Sequence, residues 1–389
     1  MNPVSRRELS EAALMAGAAV AAESAGALGP DARPERIRTG IIGCGSVSNS
    51  YLPDLLKCPH VEIVSLCDIR PERARRQAER YGVRHHYPHI DAMLAGEPFD
   101  FFVNLTDMQE HEHLNRQALE AGKHVWSEKP IANTLAEGQK LLALARRKGV
   151  RLWGAPIVVQ SRQFAFMARV LAEGRLGRVA AALGSYGHLG PDWARFFYTR
   201  GGGSLPDLGV YNLTFMTGLL GPARAVTALT TIVTPKRRIR DVGEIAVTEE
   251  DNAMVLLDHG NGVISHVDSS FNYFNPRDHD YTGQDHHTIT IIGREGQMKL
   301  AGYDWGPHGV DLSTASEPAW KRYEEGPQGY LWQQGASLAA EVLATGKELL
   351  LATPEHALHV VEIITAARES SATGRRIPLK STFKWPVVG

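Results

Sequence analysis

Between Ile37 and Gly154, short apolar runs alternate with stretches of helical spacing. The runs from Ile37 to Ile42, Val61 to Cys67, Phe101 to Leu105 and His124 to Trp126 read as strands. The stretches from Pro71 to Arg80, Glu110 to Ala121 and Leu135 to Lys148 are helical with a charged outer face. Gly122 and Gly149 follow the last two, where a left-handed C-cap belongs. Strand–helix–strand repetition of this kind predicts a doubly wound parallel sheet with helices on both faces. After about Ala155 the pattern changes. Helical segments remain from Gln163 to Glu173 and Leu208 to Leu220. Strands from Val179 to Tyr186, Ala225 to Val233, Ala253 to Leu257, Val263 to Ser269, His287 to Ile292 and Gln297 to Leu300 now come mostly without helices between them. That predicts an α+β unit built on a large, mostly antiparallel sheet with helices on one face. One long helix from about Gln333 to Glu369, interrupted near Pro354, is expected to close the chain. The layout is a leader and linker over 1–35, an α/β domain over 36–155 and an α+β domain over 156–389.

Composition adds exclusions. The 389 residues fit two domains at roughly 150 residues each, and 43% hydrophobic with 22% charged residues is ordinary globular usage. A net charge of −1 without a Lys/Arg run gives no field for nucleic acid, so none is expected as a partner. Cys44, Cys58 and Cys67 have no zinc or disulfide spacing and read as small apolar fillers. The histidine groups His111/His113, His279/His286/His287 and His356/His359 lack metal-ligand spacing, so no metal is expected. No apolar stretch reaches about 18 residues, so no membrane insertion is expected. At the start, Arg6-Arg7 precedes the apolar run from Ala12 to Ala22 and then Ala25-Gly26-Ala27, the order of a twin-arginine export signal. An alanine-rich helix is the alternative, because Glu11 and Glu23 flank the run. Residues 28–35 read as a linker.

Three segments carry chemistry. Gly43 and Gly45 stand between the first strand and first helix, where glycines permit the tight turn and the close approach of a pyrophosphate; Ser48 is the third small position. Asp68 ends the second strand, where a carboxylate accepts from a ribose 2′-hydroxyl and repels a 2′-phosphate; this is the Rossmann pattern and favours NAD over NADP. Arg70 would serve a phosphate if Asp68 turned away. Glu128-Lys129-Pro130 lies just past a strand, at the sheet edge where ligands bind, and its X-Pro bond is a candidate for cis. Gly201-Gly202-Gly203 leads into a helix on which Asp207 and Tyr211, at i and i+4, share a face, and the glycine run is expected to leave room for a ligand. Trp193 and Trp305 are candidates for stacking on a sugar or for the core, whereas Trp153 reads as core. The loop around His279 is rich in hydrogen-bonding groups suited to a pocket mouth.

From Ile37 onward, these segments, with Leu219-Leu220-Gly221-Pro222, Gly293-Arg294-Glu295-Gly296 and Pro354-Glu355-His356-Ala357, resemble the family of glucose–fructose oxidoreductase, inositol dehydrogenase and MocA proteins. The resemblance implies an NAD(P)-binding Rossmann domain, a second domain for oligomerisation and carbohydrate binding, and a homodimer or homotetramer. It implies cofactor contacts from Gly43, Gly45, Ser46, Val47, Asp68, Ile69, Arg70, Asn104, Thr106, His111, Glu128 and Lys129. Lys129 would bind the reacting hydroxyl, Asp207 orient the substrate, and Tyr211 act as acid/base, its pKa lowered by the Lys129 ammonium. Trp193 and His279 join them as substrate contacts. Where the family has Thr-Pro, this chain has Thr106-Asp107; Asp107 is expected to cap the next helix rather than meet the nicotinamide ribose. The implied activity is oxidation of a secondary alcohol of a sugar, glycoside or cyclitol. Export would favour a tightly held cofactor recycled between two carbohydrates. A redox-assisted glycosidase and a non-catalytic NAD or sugar sensor are the alternatives.

Overall fold

The strands of the amino-terminal half are apolar on both sides, and the sheet they build is covered on both. In the computed structural model, which describes residues 36–274, 286–326, 329–348 and 353–387, β1 (Ile37–Ile42), β2 (Val61–Cys67), β3 (His85–Tyr87), β4 (Phe101–Asn104), β5 (His124–Ser127) and β6 (Leu152–Gly154) form a parallel sheet of order β3-β2-β1-β4-β5-β6. The chain winds one way from β1 to β3 and the other from β4 to β6, so a crevice opens at the carboxyl ends of β1 and β4. Helices Ser48–Lys57 and Pro71–Tyr81 pack on one face; Ile90–Ala95, His111–Glu120 and Leu135–Lys148 pack on the other. Trp153 belongs to the core, edge-on to Phe101 with ring centroids 6.4 Å apart. Cys44 and Cys67 are buried and Cys58 half-buried, all as free thiols.

The last pieces of cover come from far along the chain. Helix Gly335–Thr345 places Ala336, Ala339 and Ala340 in the core with Tyr51 and Trp126. Helix Pro354–Thr373 puts Ala357, Leu358 and Val361 on the opposite face, while Val360, Ile363 and Ile364 enter the core of the second sheet. The single long helix expected from the sequence is therefore two. The first ends at Gly346 with φ 67°, and the second starts afresh where Thr353 Oγ1 accepts the His356 N–H at 3.2 Å ahead of a first-turn proline.

The second sheet has nine strands in the order β16-β15-β14-β13-β7-β12-β11-β8-β17. They are β7 (Val179–Gly187), β8 (Ala225–Thr231), β11 (Asn252–Gly260), β12 (Val263–Ser270), β13 (His287–Gly293), β14 (Gly296–Tyr303), β15 (Gly306–Thr314), β16 (Lys321–Tyr323) and β17 (Ile377–Pro378); β9 (Lys236–Ile239) and β10 (Gly243–Ala246) make a separate hairpin. Among the described residues of this sheet, only β7 and β12 pair in parallel. Helices Arg162–Ala172, Val210–Leu220 and Pro354–Thr373 cover one face. The other presents Leu183, Leu229, Met254, Leu256 and Ile264, each between 45% and 71% exposed.

Candidate active site

Gly43, with φ 92°, brings the loop after β1 so near β4 that a Cβ there would lie 2.5 Å from the Leu105 backbone. Gly45 faces open space, and the nearest atom to a Cβ placed on it is an Arg73 guanidinium nitrogen at 3.8 Å. Ser48 Oγ donates to Gly45 O at 2.7 Å and ties the loop to helix Ser48–Lys57, whose first turn holds no acidic residue. A glycine open to the crevice, a helix amino terminus behind it and a cation above it suit a pyrophosphate.

Asp68 is turned inward. Its Oδ2 accepts from Cys44 N at 2.8 Å and its Oδ1 from Arg70 N at 2.8 Å, so the carboxylate shapes the glycine loop and does not line the cleft. Ile69 is 83% exposed and also outside the cleft wall. Arg70, Arg73, Arg76 and Arg80 line that end. Three of them stand at positions 73, 76 and 80, one face of helix Pro71–Tyr81; that spacing was legible in the sequence but was read as a solvated face.

The floor is tied by buried polar groups. Asn104 receives Thr106 Oγ1 at 2.7 Å and donates to Asn115 Oδ1 at 2.9 Å, so it positions Thr106 from behind. His111 faces Pro130 O at 2.8 Å through Nδ1 and Thr106 O at 3.0 Å through Nε2, bridging two cleft loops; its burial lowers its pKa. Tyr51 donates to Glu128 Oε1 at 2.6 Å, and Glu128 Oε2 accepts from Lys129 N at 3.0 Å. The Lys129–Pro130 bond is cis.

Lys129 Nζ donates to Asp207 Oδ1 at 2.7 Å and to Asp207 O at 2.8 Å. Asp207 sits in a π-helical turn, Leu205–Gly209, that precedes helix Val210–Leu220; such widened turns gather at functional sites. The same ammonium lies 5.1 Å from the Tyr211 ring centroid, over its face. The expected lowering of the Tyr211 pKa is overturned. Burial, then the negative charges of Glu128, Asp207 and Asp304, push it well above the ordinary phenol range, while Lys129 is held by Asp207.

One cleft of about 1510 Å³ joins Gly45, Ser46, Val47, Arg70, Thr106, His111, Glu128, Lys129, Asp207, Tyr211 and Trp193. Gly43, Asp68, Ile69 and Asn104 are not on its wall. Asp107 lines it, and the expectation that it caps a helix fails: helix His111–Glu120 starts after Glu110 with no side-chain cap. Burial raises the Asp107 pKa, partly offset by Arg73. The glycine run is packed rather than open. A Cβ on Gly202 would meet Phe197 O at 2.6 Å, and one on Gly203, with φ 112°, would strike Glu250. Trp193 is 46% exposed beside Phe196 and Phe197 and forms an aromatic shelf. Trp305 stacks on Tyr303 instead of lining the cleft. His279 lies outside the described residues; His287 pairs with Asp311 at 2.6 Å. Among the described residues no group of three or more His, Cys, Asp or Glu is placed to hold a metal.

Fold and cleft together define a dinucleotide-binding oxidoreductase whose cleft is lined by residues from both halves of the chain. Residues 37–155 match the oxidoreductase family with NAD-binding Rossmann fold, and residues 164–299 match the GFO/IDH/MocA C-terminal domain. The chain belongs to this family. It is 29% identical to a D-apiose dehydrogenase of Paraburkholderia graminis over 74% of this chain and 75% of that one. The solved structure of GenD2 from gentamicin A biosynthesis, in complex with NAD, is similar at 26% identity and TM-score 0.70, covering 91% of this chain and 100% of that one. An aldose–aldose oxidoreductase from Caulobacter crescentus shares the fold at 21% identity and TM-score 0.74, covering 88% and 100%.

Proposed function

We propose that the protein oxidises a secondary alcohol of a sugar, glycoside or cyclitol, with NAD as hydride acceptor. The observation that carries this reading is Lys129: an ammonium fixed by Asp207 in the cleft that also holds the open glycine loop and the Trp193 shelf. D-apiose dehydrogenase and aldose–aldose oxidoreductase, named for sugar substrates, support the substrate class.

Gly45, Ser46 and Val47, with Arg73 above them, would hold the pyrophosphate; Thr106 and Glu128 line the same cleft. Bound there, the nicotinamide supplies a two-electron acceptor for hydride. Lys129 binds the reacting oxygen and stabilises the charge that builds on it. Asp207 keeps the ammonium aimed, and the shelf at Trp193 stacks on the apolar face of a sugar ring. Tyr211 takes the alcohol proton only as it gives up its own, because its buried surroundings disfavour a phenolate. The reading extends to a folded, exported holoprotein that recycles its cofactor between two carbohydrates. The twin arginines ahead of the apolar run support export; Arg6→Lys with Arg7→Lys is expected to retain the protein in the cytoplasm on cell fractionation.

The test of cofactor retention uses the purified full-length protein with nothing added, denatured and assayed for released NAD(H) and NADP(H). Near-stoichiometric NAD(H) is expected. Protein that emerges empty and binds added NAD weakly overturns recycling.

A further inference from the structure

The cleft continues past Lys129 and Tyr211 along a second wall. From the Lys129 ammonium, 5.1 Å from the Tyr211 ring centroid, ring contacts lead outward, Tyr211 to Tyr186 at 6.2 Å and Tyr186 to His188 at 6.2 Å. His188 directly follows β7 and opens a loop that runs on to Trp193. The tip of the β9–β10 hairpin, Arg240-Asp241-Val242, is tied to this loop and lines the same cleft. Arg240 N donates to Asp192 O, and Arg240 Nη2 reaches the two Asp192 carboxylate oxygens at 3.0 and 3.2 Å.

Three large apolar side chains stand open on this wall. Leu189 is 56% exposed, Trp193 46% and Val242 53%. The backbone beneath them is pinned at successive residues. Gly190 N donates to His188 Nδ1 at 2.9 Å, Tyr198 Oη to Pro191 O at 2.7 Å, and Arg237 Nη1 to Leu189 O at 2.7 Å. Arg237, in β9, is itself anchored through Nη2 to Phe271 O at 2.7 Å and Asn272 Oδ1 at 2.8 Å. Gly190 has φ 84°, and a Cβ there would strike the Tyr198 hydroxyl. A loop and hairpin bound in this way hold their apolar groups in place, so the surface is formed before a ligand arrives. Asp192 and Arg240 neutralise each other, and Arg195 and Asp241 add one charge of each sign to the wall.

We propose that Leu189 and Val242 form an aglycone subsite, which selects a glycoside with an apolar aglycone over a free sugar or cyclitol. The proposal rests on the alcohol-oxidation reading. The sugar ring presents its hydroxyl to Lys129 and lies on Trp193, and the aglycone continues from the glycosidic oxygen onto the two aliphatic side chains. A second pyranose ring suits them less well, because its hydroxyls would lose water against groups that offer no hydrogen bond.

Methyl and butyl glycosides of glucose, galactose, mannose and xylose, given to the NAD-loaded full-length protein, test this. For whichever sugar is oxidised, the three added methylene groups should lower KM at least about tenfold, since each one fully buried contributes up to about fourfold. In the double variant Leu189→Asn with Val242→Asn, the ratio of the two KM values should fall to about two or less. The ratio is the readout, because a general structural defect affects both glycosides alike. If the double variant does not fold, Val242→Asn alone carries the test. Equal KM values for the methyl and butyl glycosides, an unaltered ratio in the variant, or a disaccharide of the same sugar preferred to its butyl glycoside overturns the proposal. If no glycoside reduces NAD, the oxidation reading fails, and the ratio of calorimetric Kd values for the same two glycosides decides the subsite. Absence of binding by either overturns both.

Discussion

At the scale of single residues, position and chemical type were legible, but the partners of each side chain were not. Lys129 and Asp207 lie 78 residues apart, yet the Glu-Lys-Pro turn and the glycine-led helix each offered a candidate residue, and the fold makes them an ion pair. Asp68 shows the opposite case. Its place at the end of β2 was evident, but sequence could not show that both carboxylate oxygens bond backbone N–H groups. Asp68→Ala leaves those two donors without their acceptor. It is expected to weaken dinucleotide binding by about tenfold or more, since a charge-assisted hydrogen bond contributes ~1.5–3 kcal/mol. Titration calorimetry checks this; unchanged affinity would return the loop geometry to the glycines alone.

At the scale of elements, most helices and strands followed their hydrophobic period, including β4 and β5 at only four residues each, whereas β15, nine residues long, did not announce itself. β3 and helix Ile90–Ala95 are too brief to establish a period and went unread. The π-helical turn at Leu205–Gly209 begins ahead of the helix expected from Leu208 and gave no signal of its own, since one extra residue in a turn leaves little trace in apolar spacing. Helix Pro354–Thr373 carries a pH dependence of its own. His356 bonds Thr217 at 2.8 Å and stacks on Phe383; His359 accepts from Ala223 N at 3.0 Å and meets Ser381 at 2.9 Å. Burial lowers their pKa values to about 3 and about 4, so both are neutral when folded. Unfolded histidines bind protons below about 6.5. Stability should therefore be fully present above about 6.5 and fall as pH drops toward 4, by about 1.4 kcal/mol per unit for each histidine. Denaturant midpoints across that range test it. His356→Gln and His359→Gln together should flatten the slope; an unaltered slope would contradict the assignment.

At the scale of the whole molecule, the change from a parallel to a mostly antiparallel sheet was readable because the hydrophobic period changes near Ala155. That helices Gly335–Thr345 and Pro354–Thr373 return to complete the first sheet was not, since the chain's periodicity does not say which sheet a helix covers. The other face of the nine-stranded sheet presents exposed apolar side chains. Leu229 stands opposite Met254 across β8 and β11, with Leu256, Ile264 and Leu183 beside them. We infer that a second copy covers this face, as an apolar sheet surface of this breadth is rare on a monomer. Leu229→Glu with Met254→Lys should convert a dimer or larger assembly to monomer in sedimentation experiments. A wild-type monomer would refute the inference.

Hydride transfer at Lys129 is the decisive step. The direct measurement is a single turnover: NAD-loaded protein mixed with a panel of sugars, glycosides and cyclitols, followed by the near-ultraviolet absorbance of reduced nicotinamide. At least one of them is expected to reduce the bound nicotinamide in the wild type. Lys129→Met should slow that step at least about 100-fold, the scale of losing one well-placed electrostatic group, while still binding NAD. A wild type that binds NAD but is reduced by none of them, or a Lys129→Met variant that reacts at the wild-type rate, would contradict hydride transfer there.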